Sequence, residues 1–192
     1  MREAYIVRKT KETEVQLNLN LDGTGKYESK MPCGFLDHML NLFVVHSGID
    51  LILEASGDTY VDFHHLVEDI AIVLGMAFKE ALGNKAGIRR YGQMLLPMDE
   101  TLVQVAVDFS GRSYLGYLVA DLKERVGAFD TELAEEFFRA FTQNADITLH
   151  IDKLQGNNTH HILEAIFKGV ARAIKQAIIV EGTEIPSSKG VI

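Results

Sequence analysis

The sequence has little of several features that define particular classes of protein. It has one cysteine, Cys33, which excludes an internal disulfide framework and fits a reducing compartment. It has 19 Lys and Arg residues against 27 Asp and Glu, for a net charge of −8, and no block of basic residues. Binding to a nucleic-acid backbone requires a basic face, so nucleic acid is not expected as a partner. A few clustered cations could still bind one small anion.

Long hydrophobic runs are also absent. No apolar segment reaches membrane-spanning length, and the N-terminal residues lack the apolar core of a signal peptide. We therefore expect a cytoplasmic protein with no membrane partner. With 192 residues, 47% of them hydrophobic, the chain can form one compact domain or two half-domains that share a core.

One motif occurs twice, half a chain length apart. Residues 64–68 read His-His-Leu-Val-Glu, and residues 160–164 read His-His-Ile-Leu-Glu, 96 positions later. The apolar residues at 67, 70, 71, 74, 78 and 81 also recur 96 positions later. This spacing predicts that each motif begins a long amphipathic helix with one buried face.

The motifs are spaced to bind metal ions. Positions i and i+4 lie above one another on a helix, so His64 can share an ion with Glu68, and His160 with Glu164. The second histidine of each pair points about 100° away, toward a second ion. Imidazole and carboxylate together suit divalent transition metals. One such pair alone is typical of a solvated helix start, but repetition in register favours a two-metal site.

The remaining patterns repeat the same elements in both halves. In the first half we predict strands at 4–9 and 15–21, a turn at 22–25 followed by a return strand, a helix at 35–45 and a strand at 50–56. In the second half we predict strands at 101–107 and 113–119, a helix at 133–141 and a strand at 146–152. Asp62 and residues 156–159 are expected to cap the motif helices. The prediction is an α+β fold of two structurally similar halves, each a small antiparallel or mixed sheet covered on one face by two helices.

A turn at residues 84–87 separates the halves. Residues 1–86 form the first half-domain repeat, and residues 87–192 form the second, which ends in a polar tail. Since the composition does not change at the turn, the halves are expected to pack together. The tail segment 187–190 combines hydroxyls, a cation and a flexible backbone, which suits a phosphate, although such tails are often frayed.

Together these motifs resemble the imidazoleglycerol-phosphate dehydratases. The resemblance depends on the segments 34–40 (GFLDHML), 64–69 (HHLVED), 110–112 (SGR), 160–165 (HHILEA) and 186–190 (PSSKG). They occur in the family's order and cover nearly the whole chain. No phosphatase domain accompanies them, so the chain looks like the monofunctional form.

The resemblance implies a hydro-lyase of histidine biosynthesis that converts D-erythro-imidazole-glycerol phosphate to imidazole-acetol phosphate. It implies two Mn(II) ions per active site and a homo-oligomer of 24 subunits with sites at subunit interfaces. A metal-bound imidazole ring loses its N–H proton more readily. The resulting imidazolate could expel the C3 hydroxyl through a diazafulvene-like species, after which a base removes the C2 proton.

The resemblance also assigns roles to individual residues. The metal ligands it implies are His38, His64, His65, Glu68, His150, His160, His161 and Glu164. The substrate contacts it implies are Glu12, Arg90, Arg112, Lys168, Ser187 and Lys189. Catalytic roles are expected for Glu12 as base or proton shuttle, and for the ligands His65, Glu68, His161 and Glu164.

From the residues alone, several of these positions have ordinary explanations. Glu12 would be a solvated charge, and His38 a polar group on a helix surface. His150 lies opposite the apolar face of its strand and is therefore accessible. Phe63 and Leu42 replace an aspartate and a glutamine that are common in the family, which bears on the orientation of the histidines and on one polar substrate contact.

Helix geometry divides the motif ligands between two ions. One ion would be shared by His64, Glu68 and His161. The other would be shared by His65, His160 and Glu164. Which ion binds His38 and which binds His150 is left undecided by this geometry.

Two other functions are compatible with the same pattern. A dinuclear metallohydrolase would also use paired ions and a phosphate clamp, and it would release phosphate or an amine. A non-catalytic protein could use the histidines only to join subunits, with no open coordination position.

Overall fold

The computed structural model describes residues 2–192. The elements of the first half are β1 (Glu3–Lys9), β2 (Thr13–Asn20), β3 (Tyr27–Lys30), α1 (Gly34–Ser47), β4 (Asp50–Gly57) and α2 (His64–Leu82). Those of the second half are β5 (Tyr91–Met98), β6 (Thr101–Asp108), β7 (Tyr114–Leu118), β8 (Arg125–Val126), β9 (Phe129–Asp130), α3 (Glu132–Ala145), β10 (Thr148–Gln155) and α4 (Thr159–Ala177).

The two halves have the same topology. Their four-stranded sheets have the orders β1-β2-β4-β3 and β5-β6-β10-β7. In each sheet the last pair, β4 with β3 and β10 with β7, is parallel, and the other pairs are antiparallel. The β8–β9 hairpin has no counterpart in the described part of the first half, which begins at residue 2. The predicted fold class, two similar α+β halves with mixed sheets, is confirmed.

Two strands of the four-stranded sheets differ from the sequence prediction, which also did not include the short strands β8 and β9. The strand after the first turn, β3, does not return along β2 but pairs in parallel with β4. Strand β5 was not predicted, because Gly92 and Pro97 interrupt its alternating pattern. Both differences involve strand pairing, which local periodicity does not determine.

The helices lie between the two sheets. Helix α2 packs on β1 and β2, and α4 packs on β5 and β6, while α2 also contacts α3 and α1 contacts α4. The ring of Phe78 meets those of Phe43 and Phe141 edge-on in this layer, with centroid distances of 6.3 and 5.5 Å respectively. Helices α2 and α3 can approach closely because Gly75 has no Cβ, which would lie 2.7 Å from the carbonyl oxygen of Phe141.

The two motif helices begin differently. The side chain of Asn158 accepts hydrogen bonds from the backbone N–H groups of His160 and His161, as the predicted cap does. In the first half the N-cap position is Phe63 rather than Asp62, although the Asp62 carboxylate accepts a hydrogen bond from the His64 N–H. Within residues 2–192, none of the helices combines the length and apolar character needed to cross a bilayer.

Candidate metal and phosphate sites

Two histidines and a glutamate meet where α1 packs against α4. The Oε2 atom of Glu164 lies 3.3 Å from Nε2 of His160 and 3.9 Å from Nε2 of His38. Potential ligand atoms of all three residues lie within 4.8 Å of one another. We call these three residues the α1–α4 cluster. Two imidazoles and a carboxylate at this separation are a suitable donor set for a divalent transition metal.

The carboxylate of this cluster is divided between two tasks. Its Oε1 atom accepts a 2.5 Å ion-pair contact from Lys168, and its Oε2 atom faces the imidazoles. Burial acts to raise the pKa of Glu164, but Lys168 and the two histidines outweigh burial and lower it. The carboxylate is therefore charged at neutral pH, as a metal ligand must be. Phe35 packs edge-on against the ring of His160, with centroids 5.4 Å apart.

At the start of α2, His65 lies among carboxylates. Its Nδ1 atom is 3.0 Å from the carboxylate of Asp58 and 3.9 Å from that of Glu12. The hydrogen bond with Asp58 raises the pKa of His65. Asp58 follows β4, and Glu12 lies between β1 and β2, so the ends of three strands converge on one imidazole.

His161 has a comparable partner in the second half. Its Nδ1 atom is 2.9 Å from the Glu100 carboxylate and 3.8 Å from that of Asp99. The hydrogen bond from His161 lowers the pKa of Glu100 to about 2, and the same contact raises the pKa of His161. In both halves, the second histidine of the motif is held through Nδ1, so its Nε2 atom is available to a metal.

Among residues 2–192 of one chain, the groups whose ligand atoms lie within 4.8 Å of one another are not the two predicted trios. His160 and Glu164 are grouped with His38, whereas His65 is grouped with Glu12 and Asp58. The rings of His64 and His65 are 6.3 Å apart. His64 is exposed and Glu68 half-buried, and neither belongs to either group. Their roles as ligands stay predictions.

His150 lies on the outer face of the second sheet. Its neighbours Leu149 and Ile151 are fully buried toward the helices, so the sheet separates its ring from the helix layer. The ring packs beside Tyr114, with centroids 5.4 Å apart. It also covers Gly116, where a Cβ would lie only 2.6 Å from the His150 Nδ1 atom.

Four of the six predicted substrate contacts line one cleft of about 410 Å³, which we call the tail cleft; they are Arg90, Arg112, Ser187 and Lys189. Arg90 holds the tail in place, because its Nη1 donates a 2.8 Å hydrogen bond to the Pro186 carbonyl oxygen. Its Nε donates to Asp108, 2.7 Å away, and that contact raises the pKa of Arg90. Two arginines, a lysine and hydroxyls fit a phosphate group.

The other two predicted substrate contacts lie elsewhere. Lys168 pairs with Glu164 and lines a separate cavity with His46 and Arg172. Glu12 faces His65. Lys168 therefore does not line the tail cleft of its own chain.

Sequence reasoning missed Asp58 and Glu100. Asp58 could not be found by periodicity, because it lies in the irregular loop before α2. Glu100 did leave a signal: Glu12–Val15 reads ETEV and Glu100–Val103 reads ETLV, and in each the glutamate immediately precedes the second strand of its sheet. That short repeat, together with the duplicated histidine motif, would have identified Glu100.

The sequence matches proteins of one enzyme family. Residues 32–174 match the family model for imidazoleglycerol-phosphate dehydratase. A relative of that name from Oceanobacillus iheyensis is 55% identical over 192 residues, which cover 99% of each chain. Another from Rhodopseudomonas palustris (strain BisB5) is 51% identical over 193 residues, covering 99% of this chain and 98% of its own.

Solved structures agree with the sequence matches. The imidazoleglycerol-phosphate dehydratase of Staphylococcus aureus aligns with a TM-score of 0.82 and 45% identity, covering 93% of this chain and 99% of its own. The enzyme from Pyrococcus furiosus, solved in complex with (S)-C348, aligns with a TM-score of 0.83 and 36% identity, covering 97% and 100%. The chain belongs to the imidazoleglycerol-phosphate dehydratase family of hydro-lyases.

Proposed function

We propose that this chain dehydrates D-erythro-imidazole-glycerol phosphate to imidazole-acetol phosphate, using two Mn(II) ions per active site, as an enzyme of cytoplasmic histidine biosynthesis. The observation that carries the proposal is the α1–α4 cluster, in which two imidazoles and a charged carboxylate converge beside Lys168. Family membership supports the dehydratase activity, and the donor set supports the metal requirement.

The residues fit the proposed metal. Lys168 occupies one oxygen of Glu164 and leaves the other to face both histidines. His65 and His161 are each fixed through Nδ1 by a carboxylate, the arrangement typical of metal-binding histidines. Bound divalent ions would supply the Lewis acidity that favours loss of the imidazole N–H proton of the substrate.

The tail cleft would bind the other end of the substrate. Arg90, Arg112 and Lys189 supply positive charge, and the Ser187 hydroxyl supplies a donor. Because the phosphate does not react, its binding would fix the position of the carbons that lose the proton and the hydroxyl.

Glu12 is the proposed base or proton shuttle. Its side chain is 57% exposed, and its carboxylate lies 3.9 Å from Nδ1 of His65, farther than the carboxylate of Asp58. Its backbone is fixed, because its N–H donates to the Thr10 hydroxyl and its carbonyl oxygen accepts from the Asp58 N–H, both at 3.1 Å. A carboxylate on a fixed backbone beside a ligand histidine is suitably placed to move a proton.

The distribution of these residues supports sites that are shared between subunits of a homo-oligomer, proposed as a 24-mer. His150 is separated from the α1–α4 cluster by its own sheet, and Lys168 is not part of the tail cleft. Both outer sheet faces also expose apolar side chains, namely Tyr5, Val7 and Ile52 on the first sheet and Leu95, Tyr114 and Leu118 on the second. Such faces commonly bind other protein surfaces.

Turnover by metal-stripped protein tests the activity and the metal together. Purified chain is treated with a chelator, supplied with synthetic imidazole-glycerol phosphate, and then reconstituted with Mn(II), Fe(II), Co(II) or Zn(II) separately. We expect imidazole-acetol phosphate to form only after metal is returned, and fastest with Mn(II). Release of inorganic phosphate without the ketone product would instead indicate a hydrolase.

Subunit mixing tests the shared sites. His38→Ala and His150→Ala subunits are dissociated, mixed and reassembled, with mass measured by light scattering. If one site uses ligands from different subunits, the mixture recovers activity that neither variant has alone. Reassembly without recovery, under conditions in which dissociated wild-type subunits do recover, would contradict shared sites.

A further inference from the structure

The turn that carries Glu12 has a counterpart in the second half. The sequence ETEV at 12–15 leads into β2, and the sequence ETLV at 100–103 leads into β6. Strands β2 and β6 occupy the same position in their sheets, each beside the strand that precedes a motif helix. Glu100 is therefore the structural counterpart of Glu12.

The chain after the neighbouring strand is equivalent as well. Gly57 ends β4, and a Cβ there would lie 3.1 Å from the threonine that starts β2. Gly156 follows β10, and a Cβ there would lie 3.0 Å from the Cα of the threonine that starts β6 and closer still to its hydroxyl oxygen. The residues after these glycines, Asp58 and Asn157, thus correspond to each other.

The two glutamates have different partners. Glu100 is fully engaged, since it contacts His161 Nδ1 at 2.9 Å and accepts hydrogen bonds from the Asn158 N–H and the Thr101 hydroxyl at 3.0 and 3.1 Å. Glu12 stands 3.9 Å from His65, whose Nδ1 is already bound to Asp58 at 3.0 Å. One half uses its turn glutamate to hold the histidine, and the other half uses Asp58.

The length of the loop before each motif helix explains why Asp58 holds the histidine in the first half and Glu100 holds it in the second. Six residues, 58–63, connect β4 to α2, whereas three residues, 156–158, connect β10 to α4. The longer loop folds back through a hydrogen bond from the Val61 N–H to the Asp58 carbonyl oxygen, and it brings the Asp58 carboxylate against His65. The shorter loop places an amide residue at the corresponding position, so the carboxylate comes from Glu100 instead.

We propose that Asp58 is a positioning residue that holds the Nδ1–H of His65, directs Nε2 of that ring toward the metal, and leaves the Glu12 carboxylate free for proton transfer. The inference rests on the proposed function, because it gives Glu12 a part in the reaction. In this assignment Asp58 acts through His65 and not directly on substrate or metal. Its contribution is to occupy the ring nitrogen that Glu12 would otherwise bind, as Glu100 binds His161.

The first test uses metal-free protein and needs no turnover. Nitrogen-15 NMR of the imidazoles reports which ring nitrogen carries the proton. We expect His65 to carry it on Nδ1 in the wild type, and to lose that preference in Asp58→Ala while His161 keeps it. Glu100→Gln is the matched variant and should change His161 but not His65. An unchanged His65 tautomer in both Asp58→Ala and Asp58→Asn would overturn the proposal.

The second test separates positioning from a purely structural role. In Asp58→Asn we expect kcat to fall at saturating Mn(II) while KM changes less than about threefold, and metal affinity to fall about 10- to 100-fold. Asp58→Glu should recover part of the kcat loss, because it restores the carboxylate. A wild-type protein that shows the tautomers but turns over no substrate would contradict the proposed function alone, whereas normal kcat and metal affinity in Asp58→Asn would contradict the positioning role.

Discussion

The two halves share one topology but place different residues beside their duplicated motifs. Helix α1 brings His38 to the His160 motif, whereas α3, which packs against α2, contains no histidine. Conversely, β10 carries His150 on its outer face, and the residue at the same register position of β4 is Ile52. Each half therefore keeps the motif and adds a histidine that the other lacks at the equivalent position.

The largest expected difference between the halves concerns the two turn glutamates. Glu12→Gln should lower kcat by about 100- to 10,000-fold and leave metal content unchanged, since it removes a general base. Glu100→Gln should mainly weaken metal binding, because Glu100 positions a ligand. Steady-state kinetics and elemental analysis of both variants measure the contrast. Near-normal kcat in Glu12→Gln would remove Glu12 from the chemistry.

The α1–α4 cluster provides the next comparison. His38→Ala should weaken metal binding more than about 100-fold, a larger loss than is typical when a group behind a ligand is removed. Metal affinity is measured by competition with a chelator of known affinity. Glu80→Gln, an exposed carboxylate on α2, is the control. Equal affinity in His38→Ala and the control would exclude His38 as a ligand.

The outer sheet faces give a smaller contrast. Gly116→Ala should displace the His150 ring, because the added Cβ would lie 2.6 Å from its Nδ1 atom. Because the exposed His150 ring can rotate away, we expect reduced activity with a loss of only about 0.5 kcal/mol in unfolding free energy. Ile52 occupies the position in the first sheet that matches His150. Ile52→Ala removes this exposed apolar side chain and should leave metal affinity unchanged. Denaturant unfolding and metal titration distinguish the two.

The smallest expected effect is on acid stability. The pKa of Glu100 is lowered from 4.5 to about 2 by His161, so its contribution is present above pH 4.5 and is lost as pH falls toward 2. In metal-free Glu100→Gln, the stability curve should therefore be flatter between these values than in the wild type. Thermal unfolding across that pH range measures the slope. Parallel curves for the two proteins would show that the pair does not contribute.

The sequence was most informative where structure is local. Helical spacing around the two motifs predicted α2 and α4, and the Asn158 cap followed from its position before an apolar repeat. Helical spacing alone determines which residues of each motif share one face of the helix. Alternation likewise predicted β2 and β10, including the exposed face that carries His150.

What the sequence could not provide depends on loops and on distant pairing. The position of Asp58 depends on the length of an irregular loop, and the pairing of β3 depends on a partner more than twenty residues away. The tail cleft depends on Arg90, whose left-handed backbone (φ 75°) turns its guanidinium toward the tail. No periodic pattern encodes these features.

Gly92 links the packing of β5 against α4 to the position of Arg90 in the tail cleft. A side chain at this position would collide with the Ala173 carbonyl oxygen of α4, so β5 lies directly against the helix backbone. Two residues earlier, the Arg90 N–H donates a 2.8 Å hydrogen bond to the Ala177 carbonyl oxygen of the same helix. A single added methyl group would thus shift the guanidinium of Arg90 along with its strand. We therefore expect a substitution at this glycine to disturb the reach of an arginine as well as the packing of the core.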